Sequence, residues 1–103
     1  MTSFGDDVNL KINPEYASIM TPLTESEYEG LKKWIKKHGL IYPIIVNQDN
    51  VILDGHYRYK ACKELGIKPR VEVKRFEETN LINRFLDEKK YIIEINLERT
   101  HIN

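Results

Sequence analysis

Polar and apolar residues alternate along Val8-Asn9-Leu10-Lys11-Ile12, the period of a short strand, and the pattern stops at Asn13-Pro14. Ahead of it, residues 1–7 are polar and read as a disordered N-terminal tail. Ala17 to Pro22 holds a few apolar residues and then a proline stop, the mark of a covering loop. From Thr24 the period lengthens. Tyr28, Leu31, Trp34 and Ile35 recur at helical spacing, Thr24 and Glu27 fit a capping box, and Gly39 closes the helix. Two β-branched runs, Pro43 to Asn47 and Val51 to Leu53, flank Gln48-Asp49-Asn50 and predict a hairpin. Pro69 to Phe76 alternates again, a strand with one wet face. Asn80 to Glu94 returns to helical spacing through Leu81, Ile82, Phe85, Leu86, Ile92 and Ile93. Its tail, Tyr91 to Leu97, is rich enough in isoleucine for a strand to compete, but the stripe starting at Leu81 favours helix.

The segment from Leu53 to Gly66 organises the rest. The apolar run Val51-Ile52-Leu53 breaks at Asp54-Gly55, and a short helical pattern, with Ala61, Cys62 and Leu65 on its apolar stripe, ends at Gly66. Strand, glycine turn and helix together aim backbone N–H groups at an anion. Arg58 extends the apolar stripe backwards by spacings of three and four, so it sits near the core edge and needs a partner. That partner is either a phosphate or a carboxylate such as Asp54. These elements define a single α/β (α+β) domain, a small mixed sheet with three or four helices.

Composition narrows the class without changing it. The chain has 103 residues, 41% hydrophobic and 31% charged, the profile of one globular domain with a modest core. Sixteen basic residues balance sixteen acidic ones, so summed charge gives no drive toward nucleic acid. Lys32, Lys33, Lys36 and Lys37 read as a solvated helix face. A single cysteine, Cys62, excludes an internal disulfide framework and a cysteine-rich zinc site, and its place on an apolar stripe reads as a small buried side chain. With no signal peptide and no apolar run of membrane length, a cytoplasmic location and no membrane partner are expected.

Several side chains are placed to carry chemistry. Asp54 stands at the mouth of any phosphate site, where it would hold Mg²⁺, act as a catalytic base toward a hydroxyl, or simply cap the helix. His56 lies in the first turn, within reach of a phosphate. Arg58, Lys60 and Arg99 are the cations nearest such an anion, and Asn96 and Arg99, three apart, face one way on a helix. Tyr42, Tyr57 and Tyr59 would stack on a base or pack at the sheet edge. No Walker sequence, G-x-G-x-x-G or nucleophile elbow is present.

Three motifs in order resemble the ParB/sulfiredoxin superfamily: Gly39-Leu40-Ile41-Tyr42-Pro43-Ile44-Ile45-Val46, then Ile52-Leu53-Asp54-Gly55-His56-Tyr57-Arg58-Tyr59-Lys60-Ala61, then Asn96-Leu97-Glu98-Arg99. The resemblance covers residues 8–103 and implies a ParB/sulfiredoxin-like single domain cut before a C-terminal DNA-binding region. It implies a nucleotide, CTP or ATP/ADP with Mg²⁺, bound over the glycine turn. Pro43 and Ile44 of the first motif would line it, with Gly55, His56, Arg58, Tyr59 and Lys60 of the second and Asn96 and Arg99 of the third. The protein would then be a nucleotide-dependent switch in a DNA-associated partition or regulatory protein, with a homodimer as a further implied state. The D-G-H form of the turn also resembles the free serine kinases of the superfamily. That alternative is a small phosphotransferase or nucleotide hydrolase with Asp54 as catalytic base. Sulfiredoxin activity requires a cysteine where Gly55 stands, and no cluster of acids suits a nuclease.

Overall fold

The computed structural model describes residues 9–77 and 80–102, with side chains for 9–77 and 80–98. The expected tail over residues 1–7, the start of the first strand at Val8, and the side chains of Arg99 and His101 lie outside the described residues. Helix α1 spans Pro14–Ala17, α2 Glu25–His38, β1 Ile44–Val46, β2 Ile52–Asp54, α3 His56–Leu65, β3 Val71–Val73 and α4 Leu81–Ile102. The sheet runs β2-β1-β3, with β1 antiparallel to β2 and parallel to β3. It is the mixed sheet expected, with four helices among the described residues.

Local signals account for most boundaries. Thr24 and Glu27 close a reciprocal capping box at the start of α2, through bonds of 3.1 and 2.9 Å. Gly66, at φ 72°, ends α3 in the left-handed conformation that glycine adopts without strain. The hairpin turn is pinned by Asn47, whose side-chain oxygen accepts from the N–H groups of Asp49 and Val51.

Three sequence expectations need correction. The described part of the run from Val8 to Ile12 forms only a bridge, Lys11 beside Val51, because a single pair of backbone bonds joins it to the sheet. Asn13-Pro14 is a helix start rather than merely a strand stop: Asn13 accepts from Glu15 N–H and proline takes the first helical position. Of Pro69 to Phe76 only Val71–Val73 form the strand, matched to the three residues of β1 and flanked by backbone bonds at Arg70 and Lys74; beyond it the side chain of Gln48 takes both backbone groups of Phe76 at 2.7 and 3.1 Å. The helix beginning at Leu81 continues past Glu94 to Ile102, so Tyr91 to Leu97 is helical.

The core has three parts. Tyr28 and Ile35 of α2 meet Ala61 and Cys62 of α3. Ile44, Val46 and Ile52 meet Tyr59, while Leu53 meets Tyr16 and Ile92. Cys62 is buried, and burial pushes its thiol pKa up. Among the described residues no helix is long and apolar enough to cross a membrane.

The inner face of α4 docks through a polar network that hydrophobic periodicity does not announce. Glu88 is 3% exposed and Arg84 6%. Glu88 accepts from the Tyr16 hydroxyl, from Asn47 Nδ2 at 2.9 Å and from Arg84 Nε at 2.9 Å. Arg84 also reaches Asp49 at 2.8 Å. Burial and the hydrogen bond to Glu88 push the Tyr16 phenol well above its ordinary pKa. Arg84→Leu removes the cation facing a buried carboxylate and is expected to lower stability by roughly 3–5 kcal/mol. The measurement is a urea midpoint at unchanged slope. Lys89→Leu, which breaks the exposed pair with Glu15, should change stability by less than about 1 kcal/mol.

Candidate functional site

Strand β2 is buried along its length and delivers Asp54 to the sheet edge at 7% exposure. The chain then turns through Gly55, at φ 102°, and α3 begins at His56. A side chain at residue 55 would be crowded here, and its backbone angle strained. A Cβ would stand 3.0 Å from Arg58 Nη2 and 3.3 Å from Ile44 Cγ1. Glycine is therefore required twice, for the backbone angle and for the approach of the guanidinium.

Arg58 folds back over that turn. Its Nη2 donates to Pro43 O at 3.1 Å and to Asp54 Oδ2 at 3.2 Å, while its buried Nε has no hydrogen-bond partner. The structure thus gathers Pro43, Ile44, Asp54, Gly55 and Arg58 at one point. Gly55 at the N-cap has no side chain to cap the start of α3. Asp54 is not the cap: its carboxylate is directed at Arg58. That leaves the helix start available to an outside acceptor.

A strap from the α1–α2 connection lies over this first turn. Met20 Sδ contacts His56 Nδ1 at 3.3 Å, and Leu23 N–H donates to the Tyr57 hydroxyl at 3.2 Å. The second ring nitrogen of His56 is buried without a partner. Burial lowers the His56 pKa below 6.5, with the charge of Asp54 opposing.

Beside Arg58 opens a cleft of about 400 Å³, formed by α2 and the segment after it. Its walls include Leu31, Trp34, Leu40, Ile41 and Tyr42. Trp34 is 43% exposed and Tyr42 67%, unusual for large aromatics with nearby core to join. Gly30 lines the same wall. A Cβ there would meet nothing within 4 Å, so no internal contact requires glycine at this mid-helix position, where it costs about 0.5–1 kcal/mol relative to alanine.

Other expected site residues make contacts away from Arg58. Tyr59 is packed against Ile44, Val46 and Ile52, so it belongs to the core and not to a stacking surface. Lys60 lies 4.7 Å over the Tyr28 ring. Asn96 donates to Ile92 O within α4, and its partner in the motif, Arg99, has no described side chain. Tyr91, which motif reading passed over, is raised in pKa by burial and next by the charge of Asp54. Gly30 and Trp34 were also missed, whereas the Met20 strap is the covering loop expected over Ala17 to Pro22. Only the unexplained mid-helix glycine could have pointed to them.

Comparison with known proteins fits this architecture. The ParB N-terminal domain family model matches residues 8–89, and the chain belongs to that family. The third motif, Asn96 to Arg99, falls beyond the matched range. Sixty residues are 38% identical to ORF326b of Acidianus two-tailed virus, covering 58% of this chain and 18% of that protein. The chain therefore spans only a small part of that relative's length. Among solved structures, a Pnob8-like ParB-N domain has a TM-score of 0.69 at 23% identity, covering 84% of this chain and 33% of the other. The C-terminally truncated chromosome-partitioning protein ParB from Caulobacter crescentus, solved with CTP-gamma-S, has a TM-score of 0.64 at 20% identity. That match covers 94% of this chain and 50% of the other. At such identities these two likenesses speak for the fold.

Two outcomes follow from the geometry. Gly55→Ala is expected to destabilise the protein by roughly 1–3 kcal/mol, because alanine must hold a left-handed angle and displace Arg58; urea unfolding measures it. For His56, the unfolded chain takes up a proton more readily than the folded one. Its stabilising contribution is therefore present above pH 6.5 and shrinks as pH falls from 6.5 toward the folded pKa. Urea midpoints at about pH 7.5 and about pH 5.5 should differ less in His56→Gln than in the wild type.

Proposed function

We propose that this chain is the nucleotide-binding module of a ParB-like, DNA-associated partition or regulatory protein. The observation that carries the proposal is Arg58. An under-coordinated guanidinium stands where the left-handed turn, the uncapped start of α3 and an aromatic cleft meet. Phosphates would take Arg58 and the first-turn N–H groups, and the base would enter the cleft between Trp34 and Tyr42. CTP is the first candidate, because the related ParB was solved with CTP-gamma-S; ATP and ADP are the competitors. In this reading the filled site orders the Asn96–Arg99 segment, so that a dimer contact or a DNA-binding region responds to the nucleotide.

Mg²⁺ fits less well than the nucleotide. Among the described residues no group of three His, Cys, Asp or Glu side chains is arranged around a metal, and the nearest carboxylate, Asp54, is paired with Arg58. Any magnesium would rest chiefly on the phosphates, so no step is derived through it. The same ion pair counts against Asp54 as the base of a phosphotransferase.

The test is a thermal-shift and calorimetric titration with CTP, ATP, ADP and tripolyphosphate, with and without Mg²⁺. A nucleotide at one hundred times its Kd should stabilise the wild type by about 2.7 kcal/mol. Arg58→Ala should abolish the effect. Gly30→Leu, which fills the cleft, should weaken nucleotides and spare tripolyphosphate. If no nucleotide stabilises the folded wild type, the proposal is wrong.

A further inference from the structure

Summed over the chain the charge is zero, but its distribution is uneven. Residues 32–75 hold eleven of the sixteen Lys and Arg residues and four of the sixteen Asp and Glu, a net charge of +7. The acids of α2 are confined to Glu25, Glu27 and Glu29, and from Lys32 to His38 every ionisable side chain is basic. Helices α2 and α3 pack side by side, with Ile35 in one cluster with Ala61 and Cys62. Lys32 reaches Glu64 at 3.0 Å across the seam, and Lys60 lies over the Tyr28 ring. The outward faces of the two helices therefore adjoin. Lys33, Lys36 and Lys37 of α2 continue a surface begun by Lys60 and Lys63 of α3, and all five are exposed.

Folding does not ask for this arrangement. Glu64, the single acid of α3, is held by Lys32 and by the Tyr28 hydroxyl at 2.7 Å, so it offsets Lys32 and leaves the other five. Cations favour helix C-termini, which accounts for Lys36, Lys37 and Lys63 in last turns but not for Lys33 or Lys60. Lys33 faces Lys36 and Lys37 at spacings of three and four, and Lys60 faces Lys63 at three. Like charges so spaced destabilise a helix, and a polyanion laid across them relieves the repulsion. What the face lacks decides which polyanion. Tyr28 and Tyr59 are buried under Lys60 and Lys63, so no base has a ring to stack on. None of the five is an arginine, asparagine or glutamine, the side chains that read base edges bidentately. Ammonium groups alone neutralise phosphates without reading sequence. A lipid surface would need apolar side chains among the lysines, but the exposed Trp34 lines the cleft beside Arg58 instead.

We propose that the outward face of α2 and α3 is a docking surface for the phosphodiester backbone of duplex DNA, held by Lys33, Lys36, Lys37, Lys60 and Lys63 without sequence preference. The contact belongs to this domain itself and is separate from any DNA-binding region of a longer protein. It rests on the proposed function only for the choice of DNA over RNA.

Fluorescence anisotropy of a labelled DNA duplex of about 30 base pairs, titrated with the whole chain between about 50 and about 200 mM salt, tests it. Two unrelated sequences should bind alike, with log affinity falling against log salt at a slope of about −3 to −4, as about four phosphate contacts require. Lys36→Gln combined with Lys37→Gln should flatten that slope by about two and weaken binding at least roughly fivefold, while nucleotide stabilisation stays unchanged. Lys89→Gln combined with Lys90→Gln removes the same charge from α4 and should alter neither slope nor affinity. Circular dichroism checks the folding of both double variants. The proposal is overturned if the wild type leaves the duplex unbound at the lowest salt, or if the two double variants weaken binding equally. Tighter binding to single-stranded DNA, duplex RNA or phosphatidylserine vesicles than to the DNA duplex overturns it as well. Nucleotide binding without DNA binding sinks this proposal and spares the nucleotide reading; DNA binding without nucleotide binding does the reverse.

Discussion

One buried carboxylate ties the ends of this fold together. Glu88 receives Tyr16 from α1, Asn47 from the hairpin turn and Arg84 from its own helix, and Arg84 continues to Asp49 on that turn. The apolar contact of α4 rests on Phe85, Tyr91 and Ile92 around Leu53 and Tyr16, while Ile82, Leu86, Ile93 and Leu97 stay exposed. The polar network adds direction to that contact, and a network this buried tolerates no partial loss. The register of α4 in turn fixes Tyr91 near Asp54, so the structural network and the candidate site share one helix.

The legible parts of the fold were those written in local chemistry. The capping box at Thr24, the helix stop at Gly66 and the break at Asp54-Gly55 each need only neighbouring residues to act. The hairpin was likewise visible as two β-branched runs around a polar turn. Strand lengths were not, because pairing is decided by partners far along the chain: β3 is only as long as the three residues of β1 it meets, and Gln48 captures Phe76 beyond it. Alternation between polar and apolar residues records which face is wet. It does not record whether a neighbour is present to hydrogen-bond.

The site was partly legible for a related reason. Gly55 and Arg58 stood out because a turn, a helix start and an apolar stripe converge on them in sequence. Tyr59 was open between stacking on a base and packing at the sheet edge, and it packs, since helical spacing from Ala61 and Cys62 does not show which layer faces the sheet. Trp34 and Gly30 were hidden in an ordinary amphipathic helix. Their meaning appears only when the segment after α2 folds back to form the opposite wall of the cleft.

Two arginines separate structure from function in this molecule. Arg58 and Arg84 each lie in a helix and each pairs with an acid four residues away, so sequence alone treats them alike. Arg84 has short bonds to two carboxylates and is nearly buried, which leaves it nothing to offer a ligand. Arg58 divides one nitrogen between two oxygens at 3.1 and 3.2 Å and keeps a buried donor unpartnered, beside a turn whose left-handed angle favours glycine. A buried donor without an acceptor is costly, and an acceptor brought from outside would relieve that cost. The deficit at Arg58, more than its positive charge, is what supports the proposal of an anion at the start of α3.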